Sequence, residues 1–401
     1  MAGLLDFPPE LILHTVSFLT RLESLDSQPE QLVTDLTSIN ALSRTNTVLF
    51  YTLNHTLYGL CASVEPLGKR ALLFAVKRQL GSTVDKLVAA GISIHSEYQF
   101  RRLNCGLLHI AAGMGLRDMV VKLLGMYGEE MRSMVHARQS HKRTTALDLA
   151  AHYGHLEIVR LLVPISPPSG VDNGVSPPPV SDTLEARKLY LSVALGNSAK
   201  AGNIEISEYL ISEGADVNFV FASRSNDTPL YYAAGSKNLG LVQLLLASGG
   251  DPNLCFALFN AARSRKMDIV QALVDGGADI HVHDHDLHNV LRYCGNAELL
   301  RFFLERGVDP NLEDRFEETP LHHACKKTNA EVAKAFVELL LQFGARTVEK
   351  VSRRGSIPVG IALSMGHSEI VEVLEPLVQN PDLKIRIARL KAAGRTPFTT
   401  M

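Results

Sequence analysis

The sequence lacks the segments that mark membrane and secreted proteins. No run of apolar residues approaches the ~18 that a helix needs to span a bilayer. The first residues, MAGLLDFPPELILHTVSFL, contain Asp6 and Glu10 but no basic segment and no small-residue cleavage site, so they do not form a signal peptide. We therefore expect a cytoplasmic or nuclear protein, or one found in both, without a membrane segment.

Neither a surplus of charge nor a cysteine motif is present. The 40 basic residues are balanced by 42 acidic ones, which argues against a general nucleic-acid binder because such a protein carries a basic surplus. The five cysteines form no Cys-x-x-Cys pair and their number is odd, so we expect reduced, buried thiols. They are Cys61, Cys105, Cys255, Cys294 and Cys325.

Sequence motifs for catalysis are missing as well. There is no Gly-x-Ser-x-Gly elbow, no P-loop, no dinucleotide-binding glycine motif and no His-Glu-x-x-His pair. His322 and His323 stand near Cys325, as a nucleophile pair would require, but Cys325 also fits a small-residue packing position. We predict a protein that is not an enzyme, has no catalytic residues and needs no cofactor.

What the sequence does contain is a repeat of about 33 residues. Starts such as DTPLYYAA and ETPLHHAC lead into an apolar helical pattern, which ends in segments such as YLISEGADVN and LLLASGGDPN. One apolar residue near each start serves as an anchor for the register. The anchors are Leu72, Leu108, Leu147, Leu195, Leu230, Leu258, Leu291, Leu321 and Val359.

Several features keep a fixed distance from these anchors. Small residues follow three positions later, a glycine follows seven positions later in four units, and a glycine nineteen positions later closes four units. Proline favours a first helical turn, a preceding threonine can cap it, and glycine permits the left-handed turn that reverses the chain. Each unit is therefore predicted to form two short antiparallel helices, which must stack to bury their apolar stripes.

These residues resemble the ankyrin repeat. TPLHHAC at 319–325, AAHYGHLEIVRLLV at 150–163 and GADVN at 214–218 are close to its consensus. The resemblance implies an all-α solenoid of about nine units over residues 63–375. A proline-rich loop at 164–182 interrupts it, and residues 376–401 form a tail or partial cap. The resemblance also implies protein partners, and it implies that histidines after the anchors tie neighbouring loops together.

Residues 1–62 do not fit the repeat. FPPELI at 7–12 and DLTSINALSRTN at 35–46 resemble the two helical segments of an F-box, with a polar stretch between them. The resemblance implies a small helical bundle that docks a Skp-type adaptor of a cullin-type ubiquitin ligase. The residues implied at that contact are Pro8, Leu11, Ile12, Val16, Leu36 and Leu42. The alternative is a helical cap that seals the first repeat unit.

The hairpin tips indicate where a partner would bind. Aromatic and arginine side chains are favoured interface anchors, and two tips carry them. The candidates are Phe219, Phe221, Arg224, Arg315 and Phe316. The charge varies along the tips, which favours a protein or peptide partner over a polyanion. The leading hypothesis is a substrate-recognition adaptor, monomeric outside its complex. The alternative is an ankyrin scaffold or inhibitor with no ligase role.

A histidine-rich stretch is the remaining candidate for chemistry. GADIHVHDHDLHNVL at 277–291 contains four histidines and three aspartates. His281, His283 and His285 alternate, so a strand-like tip would place three imidazoles on one face. A structural zinc site usually has four ligands on a closed framework, which an exposed tip does not offer. We therefore predict a polar hairpin whose charge responds to pH, and no metal site.

Overall fold

The computed structural model describes residues 20–23, 31–34, 58, 65–100, 103–136, 144–165, 183–221 and 227–392. The chain divides into two compact halves, an N-terminal half (Met1–Thr183) and a C-terminal half (Leu184–Met401). Within the described residues, helices dominate both halves, which confirms the predicted all-α class. None of these helices is both long enough and apolar enough to cross a membrane.

The N-terminal half contains short strands as well as helices. Strand β1 (Thr20–Glu23) pairs antiparallel with β2 (Gln31–Thr34), and β3 (Tyr98–Phe100) pairs with β4 (Leu103–Cys105). Its helices are α1 (Glu65–Lys77), α2 (Gly81–Ala89), α3 (Leu107–Gly113), α4 (Arg117–Tyr127), α5 (Met131–His136), α6 (Ala146–Tyr153) and α7 (Leu156–Leu162). The β1–β2 pair lies in the polar stretch between the two F-box-like segments, which the sequence did not predict to be extended.

The C-terminal half is a succession of helix pairs. Its helices are α8 (Thr183–Ala201, starting at the boundary), α9 (Ile204–Ser212), α10 (Pro229–Ser236), α11 (Leu239–Ala247), α12 (Ala257–Ser264), α13 (Met267–Asp275), α14 (Val290–Tyr293), α15 (Ala297–Glu305), α16 (Pro320–Cys325), α17 (Ala330–Gln342), α18 (Pro358–Met365), α19 (Ser368–Leu374) and α20 (Pro381–Ala392). Short 3-10 turns at Leu254–Phe256, Thr347–Glu349 and Glu375–Leu377 connect some of them.

The anchors confirm the predicted register. Each of the nine lies on the first helix of a helix pair and is at most 5% exposed. The small residues three positions later are also buried, which lets the first helices of neighbouring pairs approach closely. The described array therefore contains the nine units that the repeat predicted.

In seven of the nine helix pairs, the turn takes a left-handed backbone seven residues after the anchor. The four glycines predicted at this position have φ values between +75° and +83°. In three other units a residue with a side chain takes the same conformation: Gln79 at +58°, Lys237 at +66° and Arg265 at +61°. A Cβ atom makes this conformation costly by roughly 1–2 kcal/mol, so the repeat geometry overrides the local preference there.

Asparagine side chains link successive hairpin tips. The Asn218 amide donates to the carbonyl of Gly249 at 2.9 Å and accepts from the N–H of Asp251 at 2.8 Å. Asn253 and Asn311 make the same pair of bonds to the tips that follow them. Each amide uses one donor and one acceptor, so these bonds fix the spacing between neighbouring tips.

The unit anchored at Leu291 departs most from the repeat. Its first helix, α14, has only four residues and ends at Cys294, where ψ is +122°. His281 takes the position of the bridging asparagine in the tip that precedes this unit. The link to the following loop comes instead from Asn289, whose amide donates to the carbonyl of Asp309 at 3.1 Å. Only 16 positions separate Leu291 from the closing Gly307, against nineteen in the four units described above, and the shortening falls in the first helix.

The C-terminal helix α20 packs against the last helix pair. Ile387 is fully buried, and the Arg386 guanidinium donates to the carbonyl of Gly355 at 2.7 Å. The Glu349 carboxylate accepts the backbone N–H groups of Gln379 and Asn380 just before the helix begins. The described part of the predicted tail is thus a helix that covers the end of the array.

We expect the substitution Lys237→Gly to stabilise the fold. Lys237 is exposed and holds φ at +66°, so glycine relieves strain without removing a buried contact. The matched control is Gly202→Ala at the same turn position of the preceding unit, where φ is +82°. Urea unfolding should show about 1 kcal/mol lost in Gly202→Ala and a smaller gain in Lys237→Gly. Equal effects in the two variants would contradict this account.

Candidate functional site

Aromatic side chains form a connected surface on the C-terminal half. We name this surface the aromatic belt. They come from the segments that lead into α10 and α12 and from the first helices of three successive pairs. The belt residues are Phe219, Phe221, Tyr231, Tyr232, Phe256, Phe259 and Tyr293. All of them except the buried Phe259 are partly exposed. Such a surface offers a partner large contact area at low cost in side-chain entropy.

One end of the belt is built on a glycine. Phe219 and Phe221 meet edge to face with centroids 5.0 Å apart, and Phe221 meets Tyr232 at 5.5 Å. The Phe221 ring lies so close over Gly196 that a Cβ atom there would be 2.0 Å from Cζ of the phenyl ring. Gly196 directly follows the anchor Leu195, so this position of the repeat has given up its side chain to seat the ring.

The other end of the belt is a stack of three rings. Phe256 and Phe259 are nearly parallel, at 6° and 5.3 Å, and Phe259 stacks on Tyr293 at 12° and 4.9 Å. The Asn260 amide donates to the carbonyl of Tyr231 at 2.8 Å and connects this stack to the rest of the belt. The stack and its neighbours line a pocket of about 270 Å³.

The backbone beneath the stack is strained. Cys255 and Phe256 both have positive φ, at +58° and +60°. This conformation is uncommon for residues other than glycine and costs of order 1–3 kcal/mol each. Because strain of this kind tends to cluster at binding sites, the position of the Phe256 ring marks the pocket as a candidate site.

The rim of the pocket carries both signs of charge. The exposed Arg263 guanidinium donates to the Asn260 side chain at 2.8 Å on one side. On the other side the Asp286 carboxylate, 46% exposed, lies 3.5 Å from the Arg315 guanidinium. His285 contacts the edge of Phe256 at 5.5 Å between centroids. A polar rim around an aromatic floor is the usual anatomy of a protein interface.

A buried polar cluster lies beside the aromatic stack. Nε2 of His323 lies 2.9 Å from Oδ2 of Asp314, and Nε2 of His288 lies 3.2 Å from the same oxygen. The Asp284 carboxylate accepts from the His288 ring at 2.8 Å and from the Tyr293 hydroxyl. These side chains connect the tips of the units anchored at Leu291 and Leu321, where two successive hairpins meet.

Hydrogen bonding decides the charge of Asp284. Burial would raise the pKa of its carboxyl, but the Tyr293 hydroxyl and the backbone and ring of His288 outweigh burial and hold the pKa below its ordinary value. The same arrangement, with burial as the largest cause, raises the pKa of the Tyr293 hydroxyl. Asp284 is therefore an anion that orients two rings at the edge of the pocket.

His323 is neutral. Burial lowers the pKa of its imidazole, and the adjacent Arg292 guanidinium lowers it further. The geometry explains this direction, because Nδ1 accepts from Arg292 while Nε2–H can donate to Asp314. A second proton on the ring would occupy Nδ1, so the hydrogen bond from Arg292 to Nδ1 would have to break. The neutral Nε2–H tautomer satisfies both neighbours.

The structure separates the predicted partner-binding residues into two groups. Phe219 and Phe221 belong to the aromatic belt, whereas Arg224 lies outside the described residues. Arg315 and Phe316 lie on a neighbouring tip, where the Arg354 guanidinium is 5.5 Å from the centre of the Phe316 ring. All five remain predictions as contact residues. The adaptor-binding residues Pro8, Leu11, Ile12, Val16, Leu36 and Leu42 also lie outside the described residues.

The structure also separates the histidines of the 277–291 stretch. His281, His283 and His285 are exposed, whereas His288 is 6% exposed and enters the buried polar cluster. The segment forms turns and not the strand-like tip that the alternation favoured, but the first three histidines are exposed as a polar hairpin requires. The cluster draws its other imidazole from a different unit, His323, which no local sequence pattern connects to His288.

The residues His322, His323 and Cys325 do not form a nucleophile pair. The His322 ring bonds the Thr319 hydroxyl at 2.9 Å through Nδ1 and lies 3.3 Å from the carbonyl of Ser356 through Nε2. His322 therefore ties two loops together, as the ankyrin resemblance implied. Burial raises the pKa of the Cys325 thiol to about 12, which leaves almost no thiolate at neutral pH.

The sequence did not single out most of the belt. Tyr231, Tyr232, Phe259 and Tyr293 stand one or two positions after their anchors, where successive units carry bulky rings. The anchors define this register, so a comparison of the two positions after the anchor across the units would have found these belt residues. The contribution of Phe256 had no such signal, because it depends on an unusual backbone conformation.

The family comparison agrees with the geometry. The profile for ankyrin repeats (three copies) matches residues 72–175, 195–284 and 287–385, which is more than half of the chain. The chain belongs to the ankyrin-repeat family. Ankyrin repeats are protein-binding scaffolds, so the array is a protein–protein interaction module with protein partners.

Curated relatives share parts of this array. The chain is 28% identical to the putative ankyrin repeat protein FPV031 of fowlpox virus over 39% of its own length and 50% of that protein. It is 30% identical to the fowlpox virus protein FPV223 over 33% of its length and 99% of that protein. It is 41% identical to the human mitochondrial disaggregase over 42% of its length. The chain spans only half of FPV031 and 24% of the disaggregase.

A solved structure gives a further comparison. The ankyrin repeat domain of human ASB11 aligns with 60% of this chain and with 98% of its own, at a TM-score of 0.45 and 20% identity.

We expect the native thiols to react with iodoacetamide in order of burial. Of the four cysteines that the structure describes, Cys105, Cys294 and Cys325 are buried and Cys255 is partly exposed, so among these four Cys255 should be labelled first at pH 8. Burial raises the pKa of the Cys294 and Cys325 thiols, which removes the reactive thiolate. Mass spectrometry of the labelled peptides measures the order, and labelling in urea is the control. Early labelling of Cys325 would indicate an activated nucleophile after all.

Proposed function

We propose that this chain is a substrate-recognition adaptor of a Skp/cullin-type ubiquitin ligase and that the aromatic belt holds the substrate. The observation that supports substrate binding is the stack of Phe256, Phe259 and Tyr293 beside a pocket with a charged rim. Rings at the centre of an interface, with polar groups around them, are the arrangement in which binding energy concentrates.

The pocket favours a particular kind of segment. A volume of about 270 Å³ between flat rings accommodates one large apolar side chain. Asp286 and Asp284 lie on one side of the pocket, and Asp286 is 46% exposed. A lysine or arginine next to the apolar residue would meet these carboxylates. We infer a segment with an apolar residue beside a basic one.

The ligase role rests on the sequence of the first 62 residues. The motifs FPPELI and DLTSINALSRTN are those that suggest an F-box and a contact with a Skp-type adaptor. In this proposal the N-terminal module docks the adaptor and the array carries no catalytic group. The work of such a protein is to hold the substrate near an enzyme, which raises its effective concentration there. The alternative is a scaffold or inhibitor that binds a partner through the same belt.

We expect selection of a phage-displayed random peptide library on the chain to enrich peptides with an apolar residue beside lysine or arginine. Tyr231→Ala should lower recovery at least about tenfold, as loss of an interface aromatic does. Asp286→Lys should remove the preference for basic residues. The control is Leu377→Ala, because Leu377 is 47% exposed and lies outside the belt. A basic preference that survives Asp286→Lys would refute this site.

The ligase role is tested by co-purification with a Skp-type adaptor. The wild-type chain should bring down the adaptor, and the double substitution Leu11→Arg with Ile12→Arg should abolish this because it places two charges in an apolar contact. Tyr231→Ala is the matched control and should leave adaptor binding intact while it weakens peptide recovery. If the wild-type chain retains no adaptor but still selects peptides, the ligase role fails and the scaffold alternative stands.

A further inference from the structure

The buried cluster beside the belt brings three metal-ligand side chains together. One ligand atom from each of His288, Asp314 and His323 lies within 4.8 Å of the other two. Their side chains are 6%, 3% and 10% exposed. The three residues come from two successive units, so the fold and not a local sequence motif creates this convergence.

His288 has an unpartnered nitrogen that points into the cluster. Its Nδ1–H donates to Asp284 at 2.8 Å, which leaves a lone pair on Nε2 when the ring is neutral. Nε2 is buried and makes no hydrogen bond, although Oδ2 of Asp314 is 3.2 Å away. A lone pair and a carboxylate oxygen repel each other at this distance. A cation bound between them turns the repulsion into two ligand bonds.

The surroundings orient these ligands in advance. Oδ1 of Asp314 accepts the backbone N–H groups of Phe316 at 2.8 Å and Glu318 at 2.9 Å, so Oδ2 remains for a ligand bond. Asp284 holds Nδ1 of His288, and a carboxylate in this place is the usual outer partner of a metal-bound histidine. Both carboxylates are fixed by backbone groups of their own hairpin tips.

The spacing fits a small transition-metal ion. Ligands 2.0–2.1 Å from a tetrahedral zinc ion stand about 3.3 Å apart. The Asp314 oxygen lies 3.2 Å from His288 Nε2 and 2.9 Å from His323 Nε2, so both of these pairs are already close to that spacing. Two imidazoles and one carboxylate suit zinc and leave a coordination position for water or a partner group. We propose that His288, Asp314 and His323 bind a zinc ion that joins the tips of two successive repeat units.

Binding requires one rearrangement around His323. The proton on Nε2 must move to Nδ1, where the Arg292 guanidinium now donates. The Glu318 carboxylate lies 3.7 Å from Nδ1 and can accept a hydrogen bond from the Nδ1–H group once Arg292 turns away. Arg292 is exposed and free to leave the cluster. Its guanidinium competes with the metal, so removal of this charge should tighten binding.

A zinc ion here would support the unit whose first helix is the shortest of those described. The four-residue helix α14 follows His288 directly, and Asp314 and His323 belong to the next unit. A bond between the two tips adds a link where the first helix is short. The exposed His281, His283 and His285 belong to the same stretch but take no part in this site.

The test is a calorimetric zinc titration of the full chain after treatment with a chelator. The wild-type chain should bind one zinc ion with micromolar or tighter affinity, and zinc should raise the unfolding temperature. His288→Ala and His323→Gln should each weaken this binding at least about 100-fold, and Asp284→Asn should weaken it about 10- to 100-fold. Arg292→Gln should tighten it. Circular dichroism of each zinc-free variant shows whether it is folded.

The matched control is the triple substitution of His281, His283 and His285 by alanine, which should leave the tight site intact. Loss of the site in this variant would assign zinc to the exposed hairpin and overturn the proposal. Unchanged affinity in His323→Gln, whose side chain is the most exposed of the three ligands, would overturn it as well. So would the absence of any wild-type site tighter than about 100 μM, since His288 would then be paired with Asp314 through a proton.

Discussion

The burial of one apolar anchor per unit against the neighbouring units is the constraint on which the rest of the structure depends. A single helix pair of this size cannot cover its own apolar stripe, so every unit needs its neighbours. A buried leucine or valine contributes roughly 1.5–3 kcal/mol, and the nine anchors are at most 5% exposed. Because stacking fixes the first helices, the positions after the anchors and the hairpin tips keep a constant register, and those that are exposed can vary without loss of the fold.

The aromatic belt uses this freedom. Tyr231, Phe259 and Tyr293 occupy equivalent or adjacent positions of successive units, so the spacing of the stack brings their rings near one another without a dedicated local structure. Two positions of this surface depart from the regular repeat geometry, at a cost in stability. Gly196 gives up a side chain beneath Phe221, and Phe256 accepts a left-handed backbone. Both of these departures lie at the surface that we propose as the binding site.

The sequence predicted what depends on the repeat and missed what depends on contacts between units. The anchors, the turn glycines and the shortened Leu291 unit all follow from spacing along the chain, and the structure confirms them. The approach of His288 to His323 could not be predicted, because 35 positions separate them and only the stacking of two tips brings them together. The β1–β2 pair was missed because polar residues of mixed type carry no clear alternation.

The four-residue helix α14 has a consequence for how the array unfolds. In a stacked array, stability is approximately the sum of the intrinsic stability of each unit and its coupling to the next one. A unit whose first helix has barely one turn contributes little of the first quantity. Cooperativity is then weakest at residues 290–295, so the units before and after this point can open as separate blocks. The C-terminal half therefore has a point of weak coupling between repeat units, and this point lies next to the aromatic belt.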